Sequence, residues 1–324
     1  MNALNRFAVA FTFPALALTL AAKPAAALVI GPDFASSYSL VDLGAVSGLP
    51  APAGGLTFLN SNTLLIGGAA NQSAGAIYSV PVTRDPGGAI TGLGTATLYA
   101  TAPNIDGGLT FGPGGVLFFT GYSNNTIGQI KPASTVPDRI TTVTGNGINS
   151  SVGSLVFVPA GYNGAGQLKV LSYNANTWET LPYSLASDSS GTYDFGSSFG
   201  EVQLSGGLEG AVYVPMGSPL FANQSVLVSE YGAGRVVAYE TDAQGDPVAS
   251  TLRVLVGGLS GAEGAAIDPV TGDFMFSTFG GGNKVVRVTG FAAPPPPIPE
   301  PGSYAMLGVG LAFLSLVMSR RRGA

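Results

Sequence analysis

Ser154-Leu155-Val156-Phe157-Val158-Pro159 and Gly210-Ala211-Val212-Tyr213-Val214-Pro215 align residue for residue, and the pattern recurs three more times. A small residue opens each copy, apolar positions follow, and a second apolar strand comes after a turn. Gly55-Leu56-Thr57-Phe58 leads to Leu64-Leu65-Ile66-Gly67-Gly68, and Gly108-Leu109-Thr110-Phe111 leads to Val116-Leu117-Phe118-Phe119-Thr120-Gly121. The fifth copy is Gly264-Ala265-Ala266-Ile267-Asp268-Pro269, followed by Asp273-Phe274-Met275-Phe276-Ser277. The openers at 55, 108, 154, 210 and 264 lie 53, 46, 56 and 54 residues apart.

That period is too long for a β-helix coil and fits propeller blades of roughly 40–50 residues with loop insertions. Each copy holds four strand-like runs, near 55–59, 63–68, 75–83 and 94–101 in the first. The last copy has three, at 264–268, 273–278 and 283–290, and the segment 38–46 can supply the fourth. Closing the ring with an N-terminal strand protects both edges. The expectation is an all-β, five-bladed propeller over 28–291. Six blades is the alternative, the extra one lying in the longer third and fourth copies. Small openers suit innermost strands crowded around a channel. Ala292 to Ile298, rich in proline, reads as a stiff polyproline II spacer.

Composition narrows the chemistry. The chain has neither Cys nor His, which removes disulfides, thiolate nucleophiles, the usual general base and the commonest transition-metal ligands. Between Leu28 and Ile298 there are 8 Lys and Arg against 17 Asp and Glu, a formal charge of −9. Such a surface disfavours nucleic acid and anionic lipid and suits divalent cations.

The two ends read as addresses. Arg6, the apolar run Phe7–Leu20 and Ala25-Ala26-Ala27 form a secretory signal peptide over 1–27, with Pro14 against a permanent membrane helix. At the other end, Pro299-Glu300-Pro301-Gly302 precedes an uncharged stretch, Ser303 to Ser319, and then Arg320-Arg321-Arg322. A helix through Gly302–Ser319 would be roughly 27 Å long, just under a ~30 Å hydrocarbon core. The arginines would stay cytoplasmic and leave the upstream domain outside. This tail resembles the PEP-CTERM sorting signal of Gram-negative bacteria. The resemblance implies Sec export across the inner membrane, transient membrane insertion, cleavage by an exosortase near the triplet, and delivery to the cell surface or its polysaccharide matrix. A plain membrane anchor is the alternative.

Three repeats carry an acid at the opener: Asp106 before Gly107-Gly108, Glu209 before Gly210, Glu263 before Gly264. If the opener starts the innermost strand, all three carboxylates reach one mouth of the channel. There they could hold Ca²⁺ or Mg²⁺, which take oxygen ligands and need no His. Leu208-Glu209-Gly210 and Ala262-Glu263-Gly264 resemble blade starts of gluconolactonase-like and NHL-type propellers, and the former family uses such a Glu as a metal ligand. The other reading has the acids capping strand ends or pairing with Arg235, Lys284 or Arg287. Asp268-Pro269-Val270-Thr271-Gly272-Asp273 lacks EF-hand spacing and reads as a β-turn. Trp178 with Tyr173 and Tyr183, or Tyr122 near Asn124-Asn125, could stack on sugar rings, or could be core. No complete catalytic set is present. A surface protein that binds exopolysaccharide or serves the biofilm matrix structurally therefore comes first. A divalent-metal-dependent hydrolase or lactonase using the mouth carboxylates is the alternative.

Overall fold

The computed structural model describes residues 27–293. The expected signal peptide up to residue 26, the sorting residues and the expected helix 303–319 lie outside them. Among the described residues no helix is long and apolar enough to cross a membrane.

The described chain begins with β1 (Val29–Ile30) and β2 (Ser39–Ala45), then lays down the antiparallel sheets of five blades in order. Blade 1 is β3 (Leu56–Asn60), β4 (Thr63–Gly68) and β5 (Ala76–Arg84), with both β6 (Ile90–Leu93) and β7 (Thr97–Thr101) pairing β5. Blade 2 is β8 (Ile105–Phe111), β9 (Leu117–Gly121), β10 (Thr126–Ile130) and β11 (Arg139–Thr142). Blade 3 is β12 (Val152–Phe157), β13 (Leu168–Ser172) and β14 (Thr177–Thr180). Between β14 and its outer strand β17 (Phe199–Gln203) comes a hairpin, β15 (Tyr183–Leu185) and β16 (Tyr193–Phe195). Blade 4 is β18 (Leu208–Tyr213), β19 (Ser225–Glu230), β20 (Arg235–Glu240) and β21 (Arg253–Gly257). Blade 5 is β22 (Ala262–Ile267), β23 (Phe274–Thr278) and β24 (Lys284–Thr289). There are five blades, not six: the surplus length of the third repeat is spent on the β15–β16 hairpin, which joins no blade of its own.

The N-terminal segment ties the last two blades. β2 pairs antiparallel with β24, Ser39 opposite Thr289 and Asp42 opposite Val286, and β1 pairs with the outer strand β21 of blade 4. The two pairings join residues about 230–250 positions apart and make β1 and β2 the outer strands of blades 4 and 5.

The second strand of each blade is buried nearly throughout and mostly apolar, because both of its faces meet protein. In blade 2, Phe118 packs toward blade 3 while Leu117 and Phe119 pack toward blade 1. In blade 4, Leu227 faces blade 5, and Val226 and Val228 face blade 3. Alternation places successive side chains on opposite faces, and here both faces are protein. Near-continuous hydrophobic runs result, not an inside–outside alternation. Each fully buried Leu, Val or Phe contributes about 1.5–3 kcal/mol.

The repeat openers are small because the innermost strands pass backbone to backbone. A Cβ on Gly55 would lie 2.8 Å from Gly107 O, and one on Gly108 3.0 Å from Leu155 N. One on Gly153 would lie 2.2 Å from Leu208 O, one on Gly210 2.4 Å from Glu263 O, and one on Gly264 2.7 Å from Gly55 Cα. Each blade thus meets the next through a glycine, and the chain of contacts closes on itself. Hydroxyls reinforce it: Thr120 Oγ1 accepts from Gly108 N at 2.9 Å and donates to Gly153 O at 2.8 Å. Ser277 Oγ does the same between Gly264 N at 2.9 Å and Gly54 O at 2.6 Å.

The segment 268–273 is a turn, with Gly272 N donating to Asp268 O and Asp268 N to Asp273 O. Arg84 of blade 1 holds the buried Asp268 of blade 5 with two hydrogen bonds, 2.7 and 2.8 Å, bridging the seam.

Candidate functional site

A bulge aims each acid. Ile105 pairs with Gly121 and Leu109 with Phe119, so Asp106, Gly107 and Gly108 all stand opposite Thr120. Leu208 pairs with Glu230 and Ala211 with Val228, leaving Glu209 and Gly210 opposite Ser229. Ala262 pairs with Thr278 and Ala265 with Phe276, leaving Glu263 and Gly264 opposite Ser277. The extra residues break the ladder at the start of the inner strand and re-aim the acid.

The three carboxylates, from blades 2, 4 and 5, converge at one mouth of the channel. One oxygen of each lies within 4.8 Å of one from each of the others. All three side chains are buried, and Asp106 Oδ2, Glu209 Oε2 and Glu263 Oε1 have no hydrogen-bond partner. A fourth oxygen without a partner, Asn71 Oδ1, lines the same cup. The cup holds about 290 Å³ and has no basic side chain in its wall.

The cations offered as partners by the sequence are engaged elsewhere. Arg235 binds Glu230 at 2.5 Å, Lys284 binds Asp42 at 2.5 Å, and Arg287 faces Asp273 at 3.5 Å and donates to Ile90 O. Ion pairing therefore does not account for the three acids.

Buried carboxylates without cations resist ionising. Burial pushes Asp106 up to about 7, against polar contacts to Glu263, Asn71 and the Gly107 N–H. Burial first, then the charges of Asp106 and Glu263, hold Glu209 well above the usual carboxylate range. Glu263 is raised by burial, by the charge of Asp106 and by their contact. The throat admits no retreat: a Cβ on Gly107 would lie 2.5 Å from Glu209 Oε2, and one on Gly153 2.8 Å from it.

Above the carboxylates stands a collar that the repeat analysis missed as a set. Tyr122, Tyr173, Tyr231 and Phe279 line the cup, each directly after the second strand of its blade. The backbone N–H of each donates to a carbonyl just before the inner strand: Asn104, Ser151, Gly207 and Gly261 in turn, at 2.7–3.0 Å. In blade 1 the same hydrogen bond runs from Ala69 to Pro50 O, so the collar has a gap there, beside Asn71. Tyr231 packs edge-on to Tyr173 and to Phe279, each with ring centroids 5.8 Å apart. The signal was present in the sequence as a periodic aromatic after Gly121, Ser172, Glu230 and Thr278.

Of the aromatics singled out for sugar stacking, Tyr122 and Tyr173 belong to this collar. Trp178 does not: it is fully buried between blades 3 and 4, its Nε1 donating to Asp246 Oδ1 at 2.8 Å. Tyr183 sits far out, edge-on to Phe157 and Tyr193. The opposite mouth opens into a larger cavity, about 330 Å³, walled by Phe58, Phe111, Tyr213 and small residues, with no acid or base among its lining residues.

Residues 297–322 match the PEP-CTERM protein-sorting motif. The match implies an exported chain processed by an exosortase. Among curated proteins, none matches the chain as a sequence relative. The similar solved structures are propellers. Virginiamycin B lyase from Staphylococcus aureus is 14% identical with a TM-score of 0.40, over 78% of this chain and 99% of that one. The PQQ-bound aldose sugar dehydrogenase from Streptomyces coelicolor is 13% identical with a TM-score of 0.41, over 80% and 99%. A glucose dehydrogenase is 14% identical with a TM-score of 0.44, over 77% and 98%. This likeness is one of architecture and says nothing of chemistry.

Proposed function

We propose that the protein is an exported binding propeller, displayed at the cell surface or in the extracellular matrix, whose acidic mouth holds one divalent cation. The observation that supports this is the set of three buried carboxylates with unpartnered oxygens and no protein cation near them. Buried charges in proteins are paired or coordinate metals, and here no pair exists. The donor set is all oxygen, with Asn71 supplying a neutral one, which suits Ca²⁺ or Mg²⁺ and not a thiolate- or imidazole-loving metal. Ca²⁺ takes six to eight oxygens at about 2.3–2.6 Å. Four protein oxygens leave positions for water or a ligand.

Calorimetry with CaCl₂ and MgCl₂ tests it. Wild-type protein is expected to take up one equivalent, and Glu263→Ala to bind more than about 100-fold more weakly. Because Glu263→Ala also removes a buried charge, the cation-free variant should stay folded. No heat with wild type for either metal would end the proposal.

The open cation positions also support a second reading, a metal-dependent hydrolase or lactonase in which the ion would polarise a carbonyl or activate water. A lactone and ester screen with and without chelator separates the two. Processing is checked apart from this, by mass spectrometry of the surface-released form. Its last peptide is expected near Pro299-Glu300-Pro301, and one reading through Arg322 would overturn cleavage.

A further inference from the structure

We propose that the collar and the cation together make this mouth a site for a neutral glycan. One sugar unit would lay its ring on the tyrosines and use adjacent hydroxyls to fill the open cation positions. The inference rests on the cation reading above.

Two separate features converge on this ligand. The floor of the cup offers a hard cation with unfilled positions, which binds oxygen and not nitrogen or sulfur donors. The wall offers aromatic side chains from four blades, each positioned by the same backbone hydrogen bond. A ligand that is oxygen-rich at its edge and apolar on its face suits both, and a pyranose is such a ligand. Tyr is suited to a half-wet wall, its ring apolar and its hydroxyl polar.

Size and charge restrict the class further. A cup of about 290 Å³ lies at the lower end of the ~300–1,000 Å³ typical of small-ligand pockets, room for a single unit. A polymer needs a way out of the cup, and the gap at Ala69 leaves one on the blade 1 side. Three carboxylates around a divalent ion leave a formal charge of −1, and the mature domain is acidic overall. A uronate or sulfated sugar would meet repulsion there, so the ligand is uncharged.

Affinity electrophoresis of the exported protein through gels containing mannan, dextran, galactan or polygalacturonate tests the inference, with millimolar CaCl₂ or EGTA. The expected result is retardation by at least one neutral polymer in calcium, none in EGTA, and none by polygalacturonate. Tyr173→Ala and Tyr231→Ala should each weaken retardation roughly tenfold, as lost aromatic contacts do, while calcium heat stays as in wild type. Glu263→Gln should lose both. Calcium heat without retardation by any neutral polymer overturns the glycan site and leaves the cation reading standing. Absence of calcium heat removes the cation reading itself. Retardation that survives EGTA, or is indifferent to both tyrosines, or is stronger on polygalacturonate, also overturns the inference.

Discussion

In chelator, the protein is expected to melt at a higher temperature near pH 5 than near pH 8, the reverse of what carboxylates held in ion pairs would give. The sign comes from Asp106, held at about 7 against an ordinary 3.8. Between those values the folded state keeps a proton that the unfolded chain has released. The stabilisation is therefore complete below about pH 4 and is lost as pH rises through 7. From pH 5 to pH 8 about two units of that displacement are lost, about 3 kcal/mol. At about 2–4 °C per kcal/mol for a domain of this size, the melting temperature should fall by roughly 5–10 °C. Glu209 and Glu263 are displaced in the same direction and add to it. Asp42 and Asp138 are lowered, but they are largely exposed and act below pH 4, outside this window. Calcium should restore the loss near pH 8 and do little near pH 5, where it must displace protons. Glu263→Ala should flatten the profile. Differential scanning calorimetry across this range decides, and a curve flat in chelator would show that the three carboxylates do not confront one another.

Asp246→Ala should cost about 3–5 kcal/mol, far more than any substitution on the outer strands. Lys169 is fully buried in blade 3, and its Nζ lies 2.5 Å from Asp246 Oδ1 of blade 4 and 2.8 Å from Thr180 Oγ1. The same carboxylate accepts from Trp178 Nε1. Removing it leaves an ammonium and an indole N–H without their partner between two blades. Urea titration should show the drop in midpoint with an unchanged slope. Adding Lys169→Met should recover most of it, because the buried charge then goes too. A loss under about 1 kcal/mol for Asp246→Ala alone would mean that water reaches the pair.

The blade number was legible because glycine at or beside the openers is a steric demand: Gly55, Gly108, Gly153, Gly210 and Gly264 each abut the next strand's backbone. Asp106, Glu209 and Glu263 were legible for the same reason, since they neighbour those glycines and ring symmetry brings them together. Other features were hidden. Arg235, Lys284 and Arg287 belong to the same repeats as two of the acids, but they sit on the third strands β20 and β24, where Glu230, Asp42 and Asp273 claim them. Tyr122, Tyr173, Tyr231 and Phe279 were hard to separate from core aromatics such as Phe119, because a strand end looks the same in sequence whether it meets solvent or protein. Trp178 shows the converse: an indole that could have faced a ligand is spent on satisfying Asp246.

The clasp between β2 and β24 sets the order in which the molecule can be made. Ser39 and its neighbours are among the first residues of the domain to be synthesised, and Thr289 is among the last. The ring has no partner for its leading strand until the trailing one arrives, and contacts so distant in sequence form slowly. The ring therefore closes last, when the trailing strand meets the one that was made first.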